Sequence, residues 1–365
     1  MVSNEESPMP EMMKCFVMHG IGKVGMVEKP IPRPGPGDAI IRTTAALICT
    51  SDTHTVAGAI GDRQGLTLGH EAVGVIHELG SLAAESGLFK VGQRVAVNAI
   101  TPCYACDNCQ RGYSSQCGGA LGGWKFANLK DGSMAEYFHV NNAVANLAPI
   151  PAGLTDEQAA YCCDMLSTGF VGAEHASIPI GGSVAVFAQG PVGLMATVGA
   201  RLLGAGLVIG VESMPHRIAL AKKYGCDVVV DYSKQDPVEA IMKLTGGKGV
   251  DSSIEALGSA RTFAACVNAT RPGGTISNIG YHGDGETVPI PRLGWGVGMS
   301  DKTIRTALCP GGSERMGRLL RLIENGRVDP LAMTTHRFGF KDIERAFKMM
   351  QTKEDAMIKP LIAFT

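Results

Sequence analysis

Residues 183–212 read SVAVFAQGPVGLMATVGARLLGAGLVIGVE, and they carry the main evidence for the fold. Its first segment, Ser183–Phe187, is short and mainly apolar, as is typical of a buried strand. A glycine-rich turn follows, after which Val192–Leu203 predicts a helix and Leu207–Val211 predicts a second strand. Arg201 is the only charge between residues 183 and 211, but the glycines divide the stretch into short pieces. We therefore predict a strand–helix–strand unit and no membrane span.

The alternation of helices and strands continues beyond this unit. Further helices are predicted over Pro215–Tyr224, Pro237–Leu244 and Ala260–Asn268, and further strands over Val228–Asp231, Val250–Glu255 and Gly274–Ile279. Repeated units of this length indicate an α/β domain with a doubly wound parallel sheet.

The segments before residue 150 follow a different pattern. Short strands are predicted over Lys14–Met18, Val24–Glu28, Asp38–Ala46, Ala72–Leu79 and Arg94–Val97. Their irregular spacing indicates a β-rich domain. After Cys309 we predict two helices, Arg315–Asn325 and Lys341–Met350, and a last strand, Lys359–Phe364. If that strand returns to the first domain, the α/β unit is an insertion.

The turn after the first strand of the α/β unit reads Ala188-Gln189-Gly190-Pro191-Val192-Gly193. It matches the dinucleotide-binding pattern G-x-G-x-x-G except at Ala188. Gly190 lets backbone amides approach a pyrophosphate, and Gly193 lets the helix pack close to the strand. The helix N-terminus adds partial positive charge. An ordinary tight turn is the alternative interpretation, and the surrounding strand and helix favour a dinucleotide.

An acidic residue at the end of the second strand predicts which dinucleotide binds. Glu212 lies where a carboxylate accepts hydrogen bonds from a ribose diol, and it would repel a 2′-phosphate. Ser213 and Arg217 are assigned to the same site; Arg217 could hold a ribose hydroxyl or offset the repulsion. We therefore predict NAD rather than NADP.

Composition and charge exclude several classes of protein. Of 365 residues, 45% are hydrophobic and 18% charged, which excludes disorder and suits two domains. The net charge of −1 gives no attraction to a polyanion, so we expect no nucleic-acid partner. Residues Met1–Met12 contain neither a basic nor an apolar run. We expect no signal peptide and a reducing, cytoplasmic location, in which cysteines more often bind metal than form disulfides.

Four cysteines occur close together in a segment with many turn residues: Cys103, Cys106, Cys109 and Cys117. Four thiolates at this spacing can surround one tetrahedral Zn²⁺ and leave no position open to water. An iron–sulfur cluster and disulfides are the alternatives. The spacing lacks the Cys-Pro ending of ferredoxin-type runs, and a reducing compartment disfavours disulfides. The segment therefore predicts a structural zinc.

A second group of candidate metal ligands is dispersed along the chain. Cys49 follows a predicted strand, His70 and Glu71 precede another, and a third ligand could come from Cys162-Cys163-Asp164. Together they could hold a Zn²⁺ with one open position. Taken singly, Cys49 could be a buried thiol, His70 a core histidine and Asp164 a helix cap.

As a set, these motifs resemble the zinc-dependent, medium-chain alcohol dehydrogenases. The segment Gly69-His70-Glu71-x2-Gly74-x5-Gly80-x2-Ala83 resembles that family's zinc signature, and the spacing of Cys49, Ser51 and His54 is similar to its ligand-and-relay segment. The resemblance implies a GroES-like catalytic domain over residues 1–167 and 309–365. It also implies an inserted Rossmann NAD-binding domain over residues 168–308.

Within that family, the chain is most similar to bacterial secondary-alcohol dehydrogenases, which are typically tetrameric. The likeness rests on Gly123-Trp124-Lys125-Phe126, Glu136-Tyr137-Phe138-His139-Val140-Asn141, Asp164 in place of a cysteine ligand, and Cys309-Pro310-Gly311-Gly312. Two features depart from the best-known members, which lack the four-cysteine set and use NADP with a small residue at the position of Glu212. The resemblance implies a homo-oligomer, with a tetramer favoured over a dimer.

The resemblance also implies roles for individual residues. Cys49, His70 and Asp164 would hold the catalytic zinc, and Ser51 and His54 would relay the proton of the alcohol. Glu71 would support the metal site or act as a transient ligand. Thr168 and Lys359 would contact the cofactor, and Trp124 and Trp295 would line the substrate pocket, unless both are simply packed aromatics.

The leading hypothesis is a zinc- and NAD-dependent dehydrogenase of small secondary alcohols and their ketones. A second hypothesis is a primary-alcohol dehydrogenase, or one that oxidises a glutathione adduct of formaldehyde. A third makes the four-cysteine segment a zinc-containing binding module. Arg111 is the one basic residue between Cys103 and Cys117, which argues against nucleic-acid binding there.

Overall fold

The computed structural model describes residues 11–364. Residues 1–10, which fall within the stretch where we expect no signal peptide, lie outside that range. The first strands are β1 (Met12–Gly20), β2 (Lys23–Pro30), β3 (Ala39–Leu47), β4 (Ala72–Leu79), β5 (Arg94–Val97), β6 (Tyr137–Val140) and β7 (Leu147–Pro149). The first helices are α1 (Thr50–Val56), α2 (Ser81–Glu85), α3 (Asp107–Gln110), α4 (Ala143–Asn146), α5 (Asp156–Ala160) and α6 (Met165–His175).

A parallel sheet follows, as the alternating pattern predicts. Its strands are β8 (Ser183–Phe187), β9 (Leu207–Val211), β10 (Val228–Val230), β11 (Val250–Glu255), β12 (Thr270–Asn278) and β13 (Thr303–Thr306). Its helices are α7 (Pro191–Leu202), α8 (Pro215–Lys223), α9 (Pro237–Leu244) and α10 (Ala260–Ala269). The strand order β10-β9-β8-β11-β12-β13 is the order of a doubly wound sheet. All strands are parallel, but successive strands are added on one side of β8 up to β10 and on its other side from β11 onward. The predicted α/β architecture is confirmed.

The last part of the chain returns to the first domain. It contains α11 (Ser313–Glu324), β14 (Thr334–Gly339), α12 (Ile343–Thr352) and β15 (Lys359–Ala363). β15 pairs antiparallel with β3, and Leu361 lies opposite Leu47. The resulting seven-stranded sheet contains β14, β15, β3, β4, β5 and β7 in that order, with β6 also paired to β3. The predicted return of the last strand is therefore confirmed.

The sequence pattern missed four strands, β6, β7, β13 and β14, and it leaves the domain limits as expectations. β13 and β14 are largely exposed or half-buried and lack regular alternation, so no pattern marked them. The expected limit after residue 167 falls inside α6, and the one before residue 309 follows β13. None of the helices in residues 11–364 combines the length and apolar character needed to span a bilayer.

The return of β15 contributes to the stability of the first domain. Ile362 on β15 is fully buried against Phe16, Ile48 and Phe347. We expect Ile362→Ala to lower the free energy of unfolding by about 2–5 kcal/mol, because it leaves a cavity. Ile180→Ala, at a residue that is 93% exposed, should change it by less than about 0.5 kcal/mol. Equal midpoints of chemical denaturation for the two variants would contradict this packing.

Candidate active site and metal centres

Helix α1 brings one candidate ligand and two polar side chains to the cleft. Cys49 is the N-cap residue of α1, and its backbone N–H donates to Asp52 Oδ2 at 2.8 Å. Ser51 and His54 lie one turn apart on the same helix, and both are exposed. The cap therefore fixes the Cys49 thiol relative to the Ser51 hydroxyl.

His70 lies in the loop that leads into β4, directly after Gly69. A Cβ on Gly69, whose φ is +89°, would lie 2.4 Å from the Met134 side chain, so this turn requires glycine. His70 Nδ1 lies 3.3 Å from Asp52 Oδ1, and its Nε2 lies 3.6 Å from Asp164 Oδ2. Asp52 and Asp164 raise the pKa of His70 well above its ordinary value, although burial alone would lower it. An Nδ1–H donated to Asp52 leaves Nε2 free to bind a metal.

Asp164 is the member of the Cys162-Cys163-Asp164 run that faces the other ligands. Its Oδ2 lies 3.9 Å from Cys49 Sγ, and its Oδ1 accepts a hydrogen bond from Thr168 Oγ1. Asp164 precedes α6 at the N-cap position but does not cap it through its side chain. The Cys163 thiol points elsewhere, to the carbonyl of Ala72.

The structure brings four potential ligands together at one point. One ligand atom from each of Cys49, His70, Glu71 and Asp164 lies within 4.8 Å of the others. Glu71 is fully buried, and its Oε2 has no hydrogen-bond partner within the described residues. A thiol, an imidazole and carboxylates form a donor set that fits Zn²⁺. The unpartnered oxygen also indicates that a cation belongs nearby.

A buried ammonium group faces this cluster from β15. Lys359 Nζ donates to Glu71 Oε1 at 2.7 Å, and both side chains are at most 1% exposed. Burial raises the pKa of Glu71, whereas Lys359 opposes that rise. The pKa of Lys359 lies above its ordinary value because Cys49 and Glu71 outweigh the effect of burial. The structure therefore places the Lys359 ammonium next to the candidate metal ligands, in contact with Glu71, and its cofactor contact stays a prediction.

Ser51 lies at the open side of the cluster. Its Oγ is 3.3 Å from His70 Nε2, the ring atom that faces Asp164. His54, one turn further along α1, contacts the ring of Tyr281 with centroids 5.9 Å apart. The two predicted relay residues thus lead from the metal ligands toward the protein surface.

The four cysteines of residues 103–117 also converge. Their sulfur atoms all lie within 4.8 Å of one another, so they could surround a metal. The backbone N–H groups of Cys103, Gly118 and Gly119 donate to these sulfurs at 3.2–3.3 Å. Hydrogen bonds from the backbone of Cys109 and Gly118 lower the pKa of Cys106 to about 6, which favours a thiolate.

The predicted cofactor turn has the expected geometry despite its departure from the pattern. Ala188 adopts φ +72°, the conformation for which the pattern normally uses glycine. A Cβ on Gly193 would lie 2.0 Å from the carbonyl oxygen of Ala188, so only glycine fits there. Gly190 is the N-cap residue of α7, and Pro191 occupies its first turn. The amide groups at this N-terminus can face a phosphate.

Backbone amides hold Glu212 at the end of β9. Glu212 is 3% exposed, and it accepts hydrogen bonds from the N–H groups of Gln189, Ser213 and Met214. Arg217 Nη1 lies 3.7 Å from its Oε2, which brings this guanidinium to the same carboxylate. The structure thus brings Gly190, Glu212, Ser213 and Arg217 together, as predicted from their order in sequence.

Three predicted site residues, Thr168, Trp124 and Trp295, make no contact within the described residues that identifies their role in cofactor or substrate binding. Thr168 contacts Asp164, so it lies behind the metal ligands. Trp124 and Trp295 are each 39% exposed, and their carbonyl groups accept hydrogen bonds from Asn128 and Ser300 within their own loops. Their assignment to the substrate pocket remains a prediction.

Sequence reasoning missed Asp52 and Lys353. Asp52 orients both Cys49 and His70, and only the helical spacing of residues 49–52 hints at that role. Lys353 Nζ donates to Thr50 Oγ1 at 2.9 Å and lies 3.2 Å from Met350 Sδ. Burial lowers its pKa to about 8. No local signal distinguished Lys353 from Lys359, because each is a lysine near the end of the chain.

Comparison with known proteins identifies the class. The model of the alcohol dehydrogenase GroES-like domain matches residues 35–152, and that of the zinc-binding dehydrogenases matches residues 191–325. The chain is 52% identical over 353 residues to an NADP-dependent isopropanol dehydrogenase of Thermoanaerobacter brockii, covering 96% of this chain and 99% of the relative. It therefore belongs to the zinc-binding alcohol dehydrogenase family, and the predicted GroES-like and Rossmann-like architecture is confirmed.

Other relatives agree with this assignment. The chain is 48% identical to an NADP-dependent isopropanol dehydrogenase of Entamoeba histolytica, over 96% of this chain and 95% of that one. A solved alcohol dehydrogenase from Thermus sp. ATN1 superimposes with a TM-score of 0.87 at 30% identity, covering 97% of this chain and 100% of that chain. The chain is an oxidoreductase of this family, which argues against the binding-module hypothesis.

The geometry of the two ligand groups predicts the metal content. We expect about two zinc ions per chain, one in each group. Asp164→Asn should lose about one of them, because a neutral amide replaces a ligand carboxylate. Cys163→Ala, the matched control at the adjacent residue, should retain both, since its thiol faces Ala72. Elemental analysis of the purified variants measures this, and zinc loss in Cys163→Ala but not in Asp164→Asn would contradict the geometry.

Proposed function

We propose that this chain is a zinc- and NAD-dependent dehydrogenase that interconverts small secondary alcohols and ketones. The convergence of Cys49, His70 and Asp164 beside the Ser51 hydroxyl carries the proposal. The names of the relatives from T. brockii and E. histolytica, both isopropanol dehydrogenases, support the substrate class.

Each residue of the site has a different role in the proposed reaction. Cys49, His70 and Asp164 would hold the zinc, which as a Lewis acid lowers the pKa of an alcohol hydroxyl. Asp52 keeps the proton of His70 on Nδ1. Ser51 would accept the hydroxyl proton of the substrate while giving up its own, and His54, exposed on the same face of α1, would take up that released proton and pass it to solvent. A dinucleotide bound at the turn after β8 would supply the acceptor for the hydride.

Glu71 and Lys359 have a supporting part in this proposal. Their buried ion pair lies next to His70, with Glu71 Oε1 at 3.7 Å from His70 Nε2. Glu71 is a carboxylate that can approach the metal, and Lys359 limits the negative charge there. This supports the predicted role of Glu71 as a supporting or transient ligand, and it adds a contact with Glu71 to the predicted cofactor role of Lys359.

We propose NAD as the preferred cofactor, although the relatives from T. brockii and E. histolytica are named as NADP-dependent isopropanol dehydrogenases. The support is local: Glu212 is fixed by three backbone amides at the strand end where a ribose 2′-oxygen would lie. A 2′-phosphate there would meet a buried negative charge. Arg217 and Lys353 are the nearby cations available for the phosphates of the dinucleotide.

We also propose that the chain forms a homo-oligomer, with a tetramer favoured over a dimer. The support is an exposed apolar segment in which Leu293 and Met299 are 76% and 80% exposed. β13, at the edge of the parallel sheet, follows this segment directly. Unpaired sheet edges and large apolar patches favour association with a second chain.

Initial rates with propan-2-ol and ethanol, both at saturating NAD, test the substrate class. We expect a larger kcat/KM for propan-2-ol by at least about tenfold, which corresponds to about 1.4 kcal/mol of transition-state binding. A strong preference for ethanol would contradict the proposal and favour a primary-alcohol dehydrogenase. Activity restricted to the glutathione adduct of formaldehyde would favour the other alternative.

The Glu212→Gly variant tests the cofactor. Removing the carboxylate should raise the ratio of kcat/KM for NADP to that for NAD by about tenfold or more, because the like-charge repulsion disappears. Glu85→Gly, at an exposed acidic residue that ends α2, is the matched control and should leave the ratio unchanged. An unchanged ratio in Glu212→Gly would contradict the assignment of Glu212 to the ribose.

A further inference from the structure

Another buried carboxylate, that of Glu255, ends strand β11 at the point where the sheet reverses its strand order. Its side chain is fully buried, and no arginine or lysine lies within ion-pair distance of it in the described residues. Ligands of doubly wound sheets bind in the crevice outside the carboxyl ends of the strands at this reversal. The Ala256 N–H donates to the carbonyl of Phe187 on β8, so Glu255 borders the predicted cofactor turn.

Hydrogen-bond donors surround the Glu255 carboxylate in place of a basic side chain. Its Oε1 accepts from Leu257 N, Gly258 N and Thr262 Oγ1 at 3.1, 2.9 and 2.6 Å. Its Oε2 lies 3.0 Å from Gly258 N. These donors belong to the turn after β11 and to the first turn of α10, where the helix dipole also favours a negative charge.

The same residue also fixes the turn after β12. The carbonyl of Glu255 accepts from the N–H groups of Ile279 and Gly280, and Oε2 lies 3.6 Å from His282 Nε2. His282 also lies 2.8 Å from Asn278 Oδ1. The backbone and side chain of one residue therefore tie together the turns that follow two adjacent strands.

Close packing shows that these two turns are held in a single arrangement. A Cβ on Gly258 would lie 2.0 Å from the carbonyl oxygen of Tyr281, and one on Gly280 would lie 2.2 Å from Glu255 Oε2. Tyr281, between Gly280 and His282, contacts the ring of His54 on α1. The turns held by Glu255 thus reach from the cofactor crevice to the helix that carries Ser51.

We propose that Glu255 is a positioning residue for the cofactor, which fixes the two crevice turns 256–258 and 279–282 so that the nicotinamide end of the dinucleotide is held facing α1. Glutamine keeps one oxygen acceptor but places an NH₂ group at the other carboxylate position, where it meets the N–H of Gly258; this contact between two donors weakens the link between the turns. The inference rests on the proposed function, because it assigns Glu255 to the cofactor site of that dehydrogenase.

Binding of NADH to the intact enzyme, followed by fluorescence, tests this role together with steady-state kinetics. Glu255→Gln should raise the Kd for NADH, and the KM for NAD, by roughly tenfold, the effect of about one lost hydrogen bond to a charged group. Zinc content should stay that of the wild type. Thr262→Val, which removes one donor and keeps the carboxylate, should raise the Kd in the same direction by a smaller factor.

Asp251→Asn is the matched control. Asp251 lies at the opposite end of the same strand, where it accepts from Ser183 N and Ser183 Oγ and pairs with Arg271. Its replacement should lower the thermal midpoint of unfolding but change the Kd for NADH less than twofold. If Glu255 had a purely structural role, Glu255→Gln would also lower the thermal midpoint of unfolding and leave the Kd for NADH nearly unchanged.

The outcomes separate this inference from the proposed function. Wild-type enzyme that binds neither NADH nor NADPH would overturn both. Equal Kd values for NADH in the wild type, Glu255→Gln and Thr262→Val would overturn the role of Glu255 and leave the proposed function intact. If Glu255→Gln does not fold, the result with Thr262→Val decides: a raised Kd supports the role, and an unchanged Kd overturns it.

Discussion

Negative charge converges at one point in the cleft, and the rest of the site depends on how that charge is balanced. A thiol and two carboxylates, from Cys49, Glu71 and Asp164, present ligand atoms within 4.8 Å of one another and of His70. Burying like charges so close together is unfavourable unless cations or protons compensate. Lys359 supplies one positive charge, and it contacts only Glu71 of the four. A bound divalent cation would balance the remainder.

The order of the chain follows from the same requirement. Lys359 and Glu71 are 288 positions apart in sequence, and they meet because β15 returns to pair with β3 after the parallel sheet is complete. Cys49 follows β3 directly, and His70 and Glu71 precede β4, the neighbouring strand. Asp164 approaches from the start of α6, which leads into the parallel sheet. One pair of adjacent strands and one helix start therefore bring the ligands to the border of the crevice.

Local patterns in the sequence predicted those parts of the fold and site that lie within one short segment. The strand–turn–helix around Gly190 and the four cysteines are such segments, and family resemblance brought Cys49, His70 and Asp164 together. Contacts between distant segments could not be predicted in this way. Two of these contacts join residues far apart in sequence: Lys359 with Glu71, and Lys353 with Thr50. The hydrogen bonds around Glu255 come from turns that carry no recognisable motif. β13 and β14 were missed because exposed, short strands carry little hydrophobic alternation.

Anomalous X-ray diffraction from crystals of the zinc-loaded protein, recorded on both sides of the zinc absorption edge, tests whether the cleft ligands hold zinc. We expect a peak about 2.0–2.3 Å from Cys49 Sγ, His70 Nε2 and an oxygen of Asp164, with the Glu71–Lys359 ion pair intact behind it. A second peak should lie among the four cysteine sulfurs. A map with zinc only among the four cysteines, and with Cys49, His70 and Asp164 bound to no ion, would show that these three residues do not form a zinc site.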